Sequence, residues 1–246
     1  MLLSVVIPAF NEERLLPACL ASLPAADDLE VIVVDNNSTD ATADIARAAG
    51  ARVVHEPVNQ ISRARNTGAR VAAGDWLLFL DADCVMNAGL YAEIRSAMRN
   101  ERVVGAGSVI AMTGRPLWAR TMLGGWNRLS RLCRWAAGSL VLCRRQAFRA
   151  LGGFSEQLYA AEEIDLSRRL KRYGRAQGQR LIILQRHPLL SSGRKLELYS
   201  GREVAAQLMR LTTRPLSALK NPQSLALWYD GRRQDLVERG DEVSAD

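Results

Sequence analysis

Nearly half of this 246-residue chain is hydrophobic (48%) and about a quarter is charged (24%), a balance that excludes a disordered or low-complexity polymer and fits a globular protein with a sizeable core. Its formal net charge of +7 favours anionic partners such as nucleotide phosphates, nucleic acid or an acidic membrane face. The four cysteines (Cys19, Cys84, Cys133, Cys143) contain no CxxC pair, so they fit neither a zinc ribbon nor a disulfide framework and predict a reducing, cytoplasmic setting.

Taken in order, "LLSVVIP" (Leu2 to Pro8) reads as a buried strand, followed by a loop and helix in "AFNEERLLPACLASL" whose start is blurred by Pro17. "LEVIVVD" (Leu29 to Asp35) is a second strand, and "NNSTDATADIARAAG" gives a cap, a helix and Gly50 as its stop. "ARVVHE" (Ala51 to Glu56) is a third strand, "SRARNTGARVAAG" a helix closed by Gly74, and "DWLLFLD" a fourth strand. This alternation predicts an α/β fold with right-handed crossovers and a mainly parallel, Rossmann-like sheet flanked by helices. No stretch approaches the roughly 18 uninterrupted apolar residues of a membrane span. The opening "MLLSVVIPAF" has no basic flank of the signal-peptide kind, so a soluble or surface-attached protein is expected.

Beyond Asn100 the composition shifts: between Glu101 and Glu156 there is no acid, yet nine arginines occur. "RRQAFRALGGF" predicts a short helix ended by Gly152-Gly153, "AEEIDLSRRLKRYG" a helix ended by Gly174, and "RLIIL" (Arg180 to Leu184) a late strand. The expected organisation is one domain over 1–186, with a nucleotide-binding part in 1–100 and an acceptor part in 101–186, then a less regular C-terminal extension over 187–246.

The chemistry gathers at strand ends. "WLLFLDADC" delivers Asp81 and Asp83 from a buried strand, and residues i and i+2 of a strand share a side, so the two carboxylates are expected to converge on one cation or polar ligand. Hard cations such as Mn²⁺ and Mg²⁺ take such oxygen ligands together with substrate phosphates. An ordinary Asx turn is the alternative reading. No GxGxxG and no GxxxxGK[ST] follows a strand, which weakens dinucleotide and P-loop readings.

Five segments in order, "SVVIPAFNEE", "VIVVDNNSTDAT", "SRARNTGARVAAGDWLLFLDADC", "GSLVLCRRQAFRALGGFSE" and "EEIDLSRRLKRYG", resemble the inverting glycosyltransferase family 2, of GT-A fold. The resemblance runs from Ser4 to Gly174 and implies a nucleoside-diphosphate sugar donor, a hydroxyl acceptor and a divalent metal at the DxD motif. It implies that Pro8, Phe10 and Glu12 line the base and ribose pocket, that Asp35 contacts base or ribose, and that Arg63 and Asn66 frame the pyrophosphate. Asp83 would ligate the metal, with Asp81 holding the ribose or a metal-bound water. Family members carry a Glu-Asp pair with the Asp as general base; here the pair is Glu162-Glu163, so Glu163 takes that position and Glu162 and Asp165 stand as rivals. The bland alternative is three acids facing a helix dipole.

Two further features stay open. His187 could complete the metal or pyrophosphate site, Arg194 and Lys195 could reach diphosphate oxygens, and His55 reads as structural. In "PLWARTMLGGWNRLSRLCRW", Trp118, Met122, Trp126, Leu129 and Cys133 follow one helical face with Arg120, Arg128, Arg131 and Arg134 opposite. That is either an interfacial helix on an anionic membrane, which would suit a lipid-linked acceptor, or a helix packed on its own core. A catalytically inactive sugar-nucleotide binder and a basic nucleic-acid-binding protein are the rival functions, the latter lacking any helix-turn-helix, RRM or zinc signature.

Overall fold

A computed structural model describes residues 1–112, 117–136 and 139–192; Arg194, Lys195 and the expected C-terminal extension beyond Ser192 lie outside the described residues, as do the side chains of Trp118, Arg120 and Met122. Residues Met1–Glu156 with Ala161–Ser192 form one compact unit, and Gln157–Ala160, a run of turns and bends, falls to a second.

The elements of the first unit are, in chain order, β1 (Leu3–Ala9), α1 (Leu16–Ala21), β2 (Leu29–Asp35), α2 (Thr42–Ala48), β3 (Arg52–His55), α3 (Ile61–Val71), β4 (Trp76–Leu80), β5 (Cys84–Val85), α4 (Ala88–Arg99), β6 (Val103–Ala111), α5 (Leu117–Cys133), β7 (Leu140–Arg144), α6 (Arg145–Ala150), α7 (Glu162–Ala176) and β8 (Arg180–Ser191). They build an eight-stranded sheet in the order β3-β2-β1-β4-β7-β6-β8-β5. β3, β2, β1 and β4 run parallel, as the alternation predicts. The sheet as a whole is mixed, because β7 is antiparallel to both β4 and β6, and β5 to β8.

Strand alternation divides the core. Leu3, Val5 and Ile7 of β1 with Trp76, Leu78 and Leu80 of β4 join Leu16, Leu90 and Ile94 of α1 and α4 on one face. Val6, Leu77 and Phe79 point the other way, to Ala64 of α3, Phe148 of α6 and Leu166 and Leu170 of α7. Both faces are covered, which is why these strands read as continuous apolar runs.

Four elements escape the sequence patterns: α4, β5, β6 and β7. In β6, Gly105 and Gly107 look like breakers, yet they are there for close approach. A Cβ on Gly105 would sit 2.5 Å from the Leu142 carbonyl oxygen of β7, and one on Gly107 would sit 2.6 Å from Ala136 Cα. Two boundaries also move. α7 runs through Gly174, which packs against Val104, and ends before Gly178, whose φ of +69° supplies the left-handed stop. β8 continues to Ser191, so the expected boundary at 186/187 falls inside a strand.

α5 forms despite Gly124-Gly125, and its inward side is not the expected Trp126–Leu129–Cys133 line alone. Asn127 holds the helix to β6, its Oδ1 accepting from Ile110 N–H (3.1 Å) and its Nδ2 donating to the Ile110 carbonyl (2.9 Å). Ser130 is buried on that side, while Leu129 and Leu132 are 41% and 84% exposed.

Candidate functional site

The carboxyl ends of β1, β2 and β4 lie side by side, so the loops that leave them meet at one edge of the sheet, where open α/β folds bind ligands. Two of these loops are stitched together by backbone-to-side-chain bonds. Asn11, in the left-handed region at φ 51°, donates its N–H to Ser38 Oγ (3.1 Å) and accepts from Thr39 N–H (2.9 Å). Glu12, buried, donates its N–H to Thr42 Oγ1 (2.8 Å). Pro8 is buried in β1 opposite Val34, and Phe10 is half-buried at the strand exit. Asp35 accepts from Ser38 N–H (3.0 Å) and lies 3.4 Å from His55 Nδ1, so His55 belongs to the margin of the same edge.

At the exit of β4 the geometry departs from the sequence expectation. The strand ends at Leu80, and Asp81–Cys84 is a turn closed by Cys84 N–H on the Asp81 carbonyl (3.2 Å). Strand alternation therefore does not aim the two carboxylates. Asp81 Oδ1 accepts from Arg65 (2.9 Å), and Asp83 Oδ2 accepts from Ser192 Oγ (2.7 Å). Both still act on one place: burial first, then the Asp83, Asp81 and Glu12 carboxylates, push the Cys19 thiol up to about 12. A concentrated negative field made by hard oxygen donors is what a divalent cation offsets, so these residues fit Mn²⁺ or Mg²⁺. Among the described residues no three such side chains form a complete ligand set. Donor phosphate oxygens are the usual supplement.

Arg65 of α3 joins this turn to the acids of α7. Its guanidinium is 1% exposed, with Nη2 2.9 Å from Asp81, Nη1 2.8 Å from Glu162 Oε1 and 3.7 Å from Glu163 Oε1. One face lies over the Phe154 ring at 5.2 Å, inside the Phe79–Phe148–Phe154 cluster. The sequence reading missed Arg65 and named its neighbours instead. The available signal was Gly68, which lets α3 sit directly on Val6 and Val34; the residue one turn before it shares that inward face.

The three rival acids separate by environment. Glu162 is 2% exposed, and burial together with the neighbouring Glu163 carboxylate raises its pKa to about 8 against the opposing pull of Arg65. Asp165 is committed to Arg169 one turn on, at 2.7 Å. Glu163 keeps 17% exposure and, among the described residues, has only the long contact to Arg65.

Other predicted residues go elsewhere. Asn66 clamps the loop after α6, donating to the Phe154 carbonyl and Glu156 Oε1 (both 3.0 Å) and accepting from Phe154 N–H (2.9 Å). Gly153, at φ +78°, lies under it, where a Cβ would meet Asn66 Oδ1 at 2.6 Å. Arg63 is exposed, 3.4 Å from Glu156. His187 is not brought to Asp83: its Nδ1 is 2.8 Å from Glu93 of α4, and its ring covers Gly89. Ser192 occupies the place beside Asp83 that was expected of His187.

Comparison with known proteins agrees with this architecture. An uncharacterised glycosyltransferase of Mycobacterium tuberculosis is 45% identical over 86 residues, which covers 35% of this chain and 38% of the relative's own length. Among solved structures, the mannosyltransferase PcManGT from Pyrobaculum calidifontis in complex with GDP-Man and Mn²⁺ superposes with a TM-score of 0.64 at 19% identity, covering 99% of this chain and 80% of that one. Glucosyl-3-phosphoglycerate synthase from Mycobacterium tuberculosis, in complex with Mn²⁺, UDP and glucosyl-3-phosphoglycerate, gives 0.61 at 22% identity over 93% and 80% of the two chains. These neighbours share the mixed sheet and its flanking helices, the GT-A arrangement. The model of glycosyl transferase family 2 matches residues 4–152, more than half of the sequence, and the chain belongs to that family.

Proposed function

We propose that the protein transfers a sugar, with inversion, from a nucleoside-diphosphate sugar to an acceptor hydroxyl. The observation that carries the reading is Arg65, which ties the Asp81 turn to the Glu162-Glu163 pair through contacts of 2.9 and 2.8 Å. Donor-side and acceptor-side acids thereby sit around one buried cation.

In this reading Pro8, Phe10, Glu12 and Asp35 form the base and ribose side, and Asp83 with Asp81 would hold a divalent ion. Bound there, Mn²⁺ or Mg²⁺ supplies charge neutralisation for the departing nucleoside diphosphate. Glu163 takes the proton of the acceptor hydroxyl as its oxygen bonds to the anomeric carbon and the bond to the diphosphate oxygen breaks. Glu163 suits the role because it keeps solvent access, whereas Glu162 is buried against Arg65 and Asp165 is paired with Arg169. Asn66 is read as shaping the Phe154–Glu156 loop, Arg63 as the exposed flank of the diphosphate, and His187 as lying outside the metal site.

Fold neighbours are solved in complex with UDP, with UDP-GlcNAc, and with GDP-Man and Mn²⁺, which supports a nucleotide-sugar donor and a metal here. The acceptor is read as presented at an anionic membrane surface, supported by the acid-free, arginine-rich stretch between Glu101 and Glu156. Among the described residues no helix is long and apolar enough to cross a membrane.

The test is calorimetric titration with UDP, GDP, dTDP and CDP, each in Mn²⁺ and in chelator, followed by NMR of the product anomer. Metal-dependent binding of one diphosphate and an inverted anomeric centre are expected. Binding without turnover on any acceptor would instead make the protein a sugar-nucleotide binder.

A further inference from the structure

A second charged cavity lies away from the β4 turn. It is open to solvent, has a volume of about 180 Å³ and is lined by Arg131 and Arg134 of the α5 end and by Arg180, Ile182, Ile183 and Gln185 of β8. β8 reaches Asp83 only at its far end, where Ser192 bonds to it, whereas the cavity is lined by the start of the strand, Arg180 to Gln185.

Three arginines line it. Among the described residues none of the three forms an ion pair with a carboxylate; Arg131 spends only its Nε, on the Asn127 carbonyl at 3.2 Å. The stretch that carries Arg131 and Arg134, between Glu101 and Glu156, contains no acid. Like charges crowded around one cavity repel, and an anion of fitting size removes that repulsion. Arg134 is held there against its backbone preference, with φ at 48° where the end of a helix favours glycine or asparagine.

We propose that Arg131, Arg134 and Arg180 form a binding site for the phosphate of an anionic lipid headgroup, with Leu129 and Leu132 entering the adjoining acyl boundary. The bilayer is favoured over nucleic acid by those leucines. Leu132 is 84% exposed and Leu129 41%, they lie one turn apart on α5, and both neighbour the arginine stripe. Leucine contributes nothing to a phosphodiester backbone but partitions into a membrane interface. The proposal rests on the membrane reading above and is independent of the transfer chemistry, so it is tested without any sugar nucleotide.

The experiment is co-sedimentation of the full chain with vesicles of phosphatidylcholine alone and of phosphatidylcholine with phosphatidylglycerol. Sedimentation is expected only with the anionic vesicles. Each basic residue near such a surface contributes about fivefold, so Arg134→Ala with Arg180→Ala should weaken binding about 25-fold. The Arg134→Lys with Arg180→Lys pair should retain most of it, and Arg47→Ala, on the exposed side of α2, should change nothing. Leu132→Ser, at a site too exposed to disturb folding, should also weaken sedimentation and carries the test if the double alanine variant misfolds. Absence of sedimentation with anionic vesicles, or sedimentation untouched by the arginine and leucine variants, overturns the proposal. So does stabilisation by inorganic phosphate that needs the three arginines but is accompanied by no vesicle binding, which would assign the cavity to a free anion. Retention of duplex DNA that needs the same arginines and is indifferent to Leu132→Ser overturns it in favour of nucleic acid.

Discussion

Arg65 and Glu162, ninety-seven positions apart, meet at 2.8 Å with both side chains all but sealed from solvent. The same guanidinium reaches Asp81, so three segments distant in the chain, α3, the β4 exit and α7, are pinned at one point. Removing one partner of a buried pair leaves the other without compensation, which typically costs about 3–5 kcal/mol. Arg65→Met should therefore lower the unfolding free energy by about 3 kcal/mol or more at about pH 9, where Glu162 is ionised, read from urea midpoints. Arg65→Lys, which keeps the charge but loses the planar fork, should fall between the two. A loss below about 0.5 kcal/mol, the scale of an ordinary surface change, would mean the guanidinium is not structural.

Glu162 gives a pH signature of known sign. Its native pKa is raised to about 8 from an ordinary 4.5, by burial and by Glu163. Between those values the folded protein holds a proton that the unfolded chain has released. Stability from this group is thus complete at low pH, declines as pH rises through that window, and levels off above it. Glu162→Gln, which stays neutral at every pH, should flatten that part of the profile. Urea midpoints from about pH 5 to about pH 9, taken in chelator, check it. A wild-type profile that rises across the window would contradict the assignment.

Much of the nucleotide-binding half is legible in the sequence because β1 and β4 are buried throughout and β2 over Ile32–Val34, and each carries a run of apolar residues. β6 is not, since its small residues serve contacts made across other strands rather than a local pattern. The same division holds at the site. Asp81 and Asp83 announce themselves by their place after a buried strand, but their aim is set by a turn and by Arg65 and Ser192, partners 16 and 109 residues away. Glu162 and Glu163 are adjacent acids in one helical turn, and no local rule says which is buried. A 100° step around α7 decides it.

Asp83 is the residue on which metal dependence should turn. It accepts one hydrogen bond from Ser192 at 2.7 Å and contributes to the negative field at Cys19. Asp83→Ala should abolish the Mn²⁺ dependence of diphosphate binding in calorimetry while leaving the far-UV spectrum unchanged. Equal affinity of the wild type in chelator and in Mn²⁺ would remove the metal from the proposal. Ser192→Ala, which releases Asp83 Oδ2 without deleting the carboxylate, should preserve the dependence and alter affinity by a smaller factor.

The base assignment follows from how α7 presents its acids. An acceptor hydroxyl is a poor nucleophile near neutral pH, so a carboxylate must take its proton as the new bond forms, help typically worth about 10² to 10⁴ in rate. Glu162 is spoken for by Arg65 and sealed from solvent, and Asp165 is tied to Arg169, which leaves Glu163 as the acid that is neither sealed nor closely paired. Glu163→Gln should lose at least about 10²-fold in kcat with donor affinity nearly unchanged, the mark of an interaction made in the transition state. Glu163→Asp, the residue usual in the family, should retain measurable turnover, because the carboxylate survives at a position shorter by one methylene. Asp165→Asn should have a mild effect through lost pairing with Arg169. Near-normal turnover in Glu163→Gln, together with an inactive but folded Glu162→Gln, would place the base on the buried carboxylate and make Glu163 the group that raises its pKa.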